Sequence, residues 1–151
     1  MKFHYIKSSE KKKLLAQLKE QFGITKLPYL LIETGKEKVR GFSGNLTKEE
    51  IKALWNATNI EIIGMYLFKK EKREKLRLSL DASHILKNQI TKNIFELSDK
   101  QLEDWIRGRD ITAEAPEGIL AIKHNSDFIG NGLSTGQKII NHVPKERRIR
   151  N

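Results

Sequence analysis

Residues 118–143 read GILAIKHNSDFIGNGLSTGQKIINHV. Three apolar runs, GILAIKH, DFIGNGLS and KIINHV, are divided by the turn formers around Asn125–Ser126 and by Thr135–Gly136–Gln137. Runs this short, repeating every eight to ten residues, predict a meander of strands that curls into a small barrel rather than a set of helices. The glycines at 130, 132 and 136 come close to the spacing of a dinucleotide-binding loop. They lie between two strands, however, and a pyrophosphate needs the free N–H groups of a helix start. Their reading is therefore bulges or tight corners of the sheet.

Directly after this meander the chain ends on PKERRIR, with four cations against one carboxylate. Two readings stay open for it from the residues alone. A solvated tail is one; the other is a contact for a polyanion, its charges held in place by the strand they follow. Upstream, Ser98 and Gln101 form a capping box, Leu102, Trp105 and Ile106 supply an apolar stripe, and Gly108 stops the helix. Arg107 and Arg109 bracket that glycine, where the helix dipole already favours cations. Before it, KNIFELS is extended.

The N-terminal half carries its own elements. Ser8 and Ser9 stand where an N-cap belongs, and Leu14, Leu15, Leu18 and Phe22 recur at helical spacing until Gly23. LPYLLIET and EKVRGFSG read as a hairpin, followed by a short helix capped by Thr47 and Glu50 and carrying Ile51, Leu54 and Trp55. IEIIGMYLF and LRLSL read as a second hairpin whose tip, KKEKREK, is strongly basic, with Leu76, Leu78 and Leu80 on one face. DASHILKNQI gives a helical turn or two. With capped helices and strands on both sides, the segment KNQITKN marks a boundary near residue 91, giving units 1–91 and 92–151.

Composition bounds the rest. A chain of 151 residues, 38% hydrophobic and 32% charged, holds one modest core or two small ones. A net charge of +10 favours polyanionic partners. With no cysteine there is no disulfide, zinc thiolate or cysteine nucleophile, and the chain fits a reducing interior. No run approaches the roughly 18 apolar residues of a membrane span, and the start MKFHYIKSSEKKK lacks the apolar core of a signal peptide. A cytoplasmic protein with no membrane partner is expected. Its Lys, Ile and Glu richness is of the hyperthermophile, archaeal-like kind. His4, His84, His124 and His142 are scattered singly, so no metal is expected; Asp99, Glu103 and Asp104 sit on an ordinary helix surface. Nothing converges on a catalytic constellation, and neither an enzyme nor a bound cofactor is expected.

The order of pieces in the second half, KNIFELS, then DKQLEDWIRGRDI, then GILAIKHNSDFIGNGLS and the terminal NHVPKERR, resembles a PUA domain, a small pseudo-barrel that binds structured RNA. The FIGNGLS strand and the tail look most like the PUA-like tail of rRNA cytosine methyltransferases of the NOL/NOP/fmu group. The first half, around NIEIIGMYLFKKEKREKLRLSLDASHIL, resembles the small α/β pre-PUA domain of the NIP family of large-subunit assembly factors. The resemblance implies an α+β protein, a small α/β pre-PUA domain followed by a PUA-like β pseudo-barrel. It implies a non-catalytic RNA-binding role in rRNA processing, ribosome biogenesis or RNA modification, on rRNA or tRNA. Phosphates would be met by Arg107, Arg109, Lys123, Lys145, Arg147, Arg148 and Arg150, with close approach at Gly108. The competing expectation is an adaptor that docks a separate RNA methyltransferase or ribosome-assembly protein.

Overall fold

A computed structural model describes residues 3–150. The first half is an antiparallel sheet whose strands follow chain order: β1 (Phe3–Tyr5), β2 (Leu30–Thr34), β3 (Lys38–Phe42), β4 (Met65–Lys70) and β5 (Leu76–Leu78). Helix α1 (Ser8–Phe22) lies between β1 and β2, and α2 (Lys48–Ala57) between β3 and β4. The period of two along β2 decides how the layers form. Leu31 joins a core with Leu14, Leu18 and Phe22 of α1, whereas Ile32 turns to the other face and packs with Ile51 of α2 and Ile63. The sheet is thus covered on both faces.

Local signals are realised closely at the caps. Thr47 and Glu50 exchange both hydrogen bonds of a capping box, as do Ser98 and Gln101 ahead of α4 (Asp99–Ile106). Helix α1 departs from expectation: Lys7 is the extended N-cap residue, without a side-chain cap bond, so Ser8 and Ser9 lie inside the first turn. The strand expected from residue 60 begins only at Met65, since Gly64 takes a φ of +69° that no strand continues through. Leu80 is not on the strand either. Ser79 accepts from the Ala82 N–H and starts α3 (Leu80–Ile85) in its place.

The second sheet has the order β6-β8-β9-β10-β7, from β6 (Ile94–Glu96), β7 (Ile111–Thr112), β8 (Gly118–His124), β9 (Asp127–Ser134) and β10 (Lys138–Asn141). The three meander strands form as expected, and β6 adds in parallel to β8. A slip in register between Ala121 and Lys123 bends the hairpin. The sheet curls around Trp105, which α4 inserts fully buried among Leu97, Ile111, Leu120, Ile122, Ile139 and Val143. Its indole N–H donates to the Ile129 carbonyl at 3.0 Å. Gly132 makes room for it, since a Cβ there would lie 2.5 Å from Ile139 Cγ2 and 2.8 Å from the indole. The protein is α+β, with a curled half-barrel as its C-terminal unit.

The two sheets meet along β9. Ala121 and Phe128 of the second sheet belong to the core beneath the first. The buried Asn131 accepts from the Leu78 N–H at 2.6 Å, and Ser83 of α3 accepts from the Gly130 N–H at 2.9 Å. Gln21 donates to the Leu76 carbonyl and accepts from its N–H, tying α1 to β5 beside this seam.

Candidate nucleic-acid interface

The C-terminal cations do not trail from the fold. Pro144 enters a 3₁₀ turn over Lys145–Arg147, and the Ile149 N–H then donates to the Ile106 carbonyl at 2.9 Å. That carbonyl is one of the acceptors every helix leaves open at its C-terminus, so the tail is pinned to the last turn of α4. The turn itself closes as a Schellman motif. Gly108, with φ +85°, donates to the Trp105 carbonyl, and Arg109 N–H to that of Asp104. Arg148 lies across Gly108 and donates from Nε to the Val143 carbonyl at 3.0 Å; a Cβ at position 108 would collide with Arg148 Nε and Cδ.

Asn141 locks the same corner from β10. Its buried amide donates to the carbonyls of Trp105 and Arg109 at 2.8 and 3.0 Å and accepts from the Val143 N–H. Asp110 completes it, accepting from the Asn141 N–H at 2.9 Å and from Lys138 at 3.0 Å. The backbone bond, and then the Lys138 ammonium, hold the Asp110 carboxyl below the ordinary carboxylate value.

Arg107, Gly108 and Arg109 thus close α4 with Arg148 laid over the glycine, while Lys145, Arg147 and Arg150 lie on the same pinned tail, but not as equivalent charges. Arg109 pairs with Asp104 at 2.8 Å. Arg147 makes a bidentate pair with Asp81 of α3 at 3.0 and 3.3 Å, so it also bridges the two sheets. Among the described residues no carboxylate partners Lys145 or Arg150, both exposed. Lys123 is engaged elsewhere: its ammonium lies 5.6 Å from the centre of the Phe128 ring. At the basic second hairpin Lys70 is held by Glu10 and Glu33, and Lys69 by Glu37 and Glu71. Those two cations are largely neutralised on the spot.

Asp81 and Asn141 carry no role in the sequence reading, and Asp110 enters it only as the residue behind the glycine that closes the helix. A polar Asn inside the apolar run KIINHV was the one local sign, because an amide there has to be satisfied by something. Asp81 lies 66 residues from its partner, and nothing local marks it.

Residues 92–149 match the family described as the methyltransferase RsmF PUA domain. The chain is 36% identical over 56 residues to the ribosomal RNA small subunit methyltransferase F of Vibrio atlanticus. The C-terminal unit resembles the PUA-type tail of an rRNA methyltransferase. The similar stretch covers 36% of this chain and 12% of that enzyme. The PUA-like unit therefore contains the meander, the capped helix α4 and nearly all of the pinned tail, while residues before 92 lie outside the matched region. Among the described residues no three His, Asp or Glu side chains are placed to hold a metal ion, and no helix is long and apolar enough to cross a membrane.

Proposed function

We propose that the protein binds structured RNA through the face formed by the end of α4 and the tail, in the setting of rRNA modification or ribosome biogenesis. The observation that carries this reading is the coincidence of the PUA match over residues 92–149 with a cationic tail whose backbone is pinned to α4 and whose Arg147 and Arg148 side chains are held in place. Held in this way, Arg147 and Arg148 have already lost the side-chain freedom that a phosphate contact would otherwise cost, about 1.5–2 kcal/mol for a fully ordered Arg. Lys145 and Arg150 supply uncompensated charge, Arg148 lies in the space that Gly108 leaves open, and Arg147 and Arg109 share theirs with carboxylates. The role is non-catalytic and cytoplasmic, with residues 1–91 serving as a pre-PUA unit and 92–151 as the RNA-binding one.

A second reading, in which the N-terminal unit docks a separate RNA-modifying enzyme, draws support from α2. Of its residues Ile51 is buried, whereas Leu54, with Leu46 just before the helix and Ile62 after it, is well exposed. The two readings part in a binding titration. With four to six phosphates engaged on a looped RNA, log K against log salt is expected to fall with a slope of about −3 to −4. Lys145→Gln with Arg150→Gln should flatten that slope by roughly 1.4, at about 0.7 per lost contact. Absence of RNA binding at low salt rejects the RNA reading in favour of the adaptor.

A further inference from the structure

A second feature of the molecule lies where the basic hairpin overhangs a face of the meander. Lys72, Lys75 and Arg77 of the first unit face Ile119 and Leu133 of the second across a crevice of about 360 Å³. His142 borders it and also the smaller hollow of about 180 Å³ behind, so the two spaces share one imidazole. Glu71 lies on the rim but is committed, with Oε1 at 3.3 Å from Arg77 and 3.8 Å from Lys69. Among the described residues no carboxylate pairs with Lys72 or Lys75, which leaves the crevice net positive.

The chemistry of the walls is unusual in its combination. Leu133 is 37% exposed, and together with Ile119 opposite it on β8 it gives an apolar floor. His142 Nδ1 is buried and has no hydrogen-bond partner among the described residues. Burial, and then the Arg77 charge, depress its pKa and so favour the neutral ring. That nitrogen is closed off from solvent, so what the crevice offers a ligand is the accessible part of the imidazole and not the unpaired atom.

We propose that this crevice takes a single unstacked nucleotide of the bound RNA, its base laid on Ile119 and Leu133 and edge-on to His142, its phosphate met by Lys72, Lys75 and Arg77. The inference rests on the RNA-binding reading above. An acidic peptide would satisfy the cations but leave the apolar floor wet, and a paired helix presents no free base to it. A splayed nucleotide uses the floor, the imidazole and the charge together. The volume lies in the range of small-ligand pockets, about 300–1,000 Å³.

The test uses the full chain and two RNAs, a stem with one bulged uridine and the same stem fully paired, followed by fluorescence anisotropy. The bulged stem should bind roughly tenfold more tightly, the order expected from removing about 50 Å² of apolar surface from water between the base and the two aliphatic side chains. Leu133→Ser with Lys75→Gln should abolish that preference and leave the paired stem bound within about twofold. Lys72→Gln with Lys75→Gln, both on the exposed hairpin, should reduce the preference without touching the core. Lys145→Gln with Arg150→Gln should weaken both RNAs alike. Equal binding of the two RNAs by the unaltered protein, or a preference that survives in the crevice variants, overturns the crevice and leaves RNA binding standing. Failure of both RNAs to bind removes the RNA reading itself.

Discussion

Gly108 shows how much can hang on one residue. Its φ of +85° closes the Schellman turn, and its missing side chain is the space in which Arg148 lies. Gly108→Ala places a Cβ in the left-handed region, at about 1–2 kcal/mol, and also displaces the Arg148 side chain. A drop of several degrees in Tm is expected, with a weakened Arg148–Val143 contact visible as a shifted Val143 carbonyl signal. Asp110 is the titratable counterpart. Because its folded pKa is depressed, its contribution is present above the unfolded value of about 4 and is lost as pH falls through the lower folded value. Urea midpoints of the unaltered protein and Asp110→Asn should differ most above pH 5 and converge at the acid end. A difference independent of pH would mean that the charge of Asp110 plays no part.

At the scale of elements, the seam between the sheets is the place where one hydrogen bond matters most. Asn131→Ala leaves the buried Leu78 N–H without its acceptor, a loss of about 1–3 kcal/mol that chemical denaturation would register as a lower midpoint at unchanged m. An unchanged midpoint would show that water replaces the amide. The elements themselves divide by how local their causes are. Both capping boxes and all three meander strands were legible, since a hydroxyl three residues from a Glu or Gln, or an apolar run between turn formers, carries its own signal. The early start assigned to β4 followed the β-branched residues of NIEII, whereas the backbone turns at Gly64. The two-residue β7 exists because β10 pairs with it, through Ile111 against Ile139, and has no pattern of its own. Likewise the cations of the tail were legible as a cluster, but their unequal roles were not. Whether an arginine is free, paired or laid over a glycine depends on Asp81 and Gly108, far along the chain.

Across the whole molecule, the two sheets are joined more closely than two capped segments would require. Phe128 and Ala121 reach the core of the first sheet, Arg147 grips Asp81 of α3, and the crevice beside His142 has one wall from each half. Among the described residues, unpaired cations cluster both on the tail beside α4, at Lys145 and Arg150, and on the basic hairpin, at Lys72 and Lys75. The account puts the RNA backbone at the first. Amide chemical-shift mapping of the full chain on addition of a stem-loop RNA tests that most directly. The expected result is a set of perturbed signals over residues 106–109 and 145–150, with α2 unmoved; perturbations confined to residues 46–62, or none at a saturating RNA concentration, would contradict it.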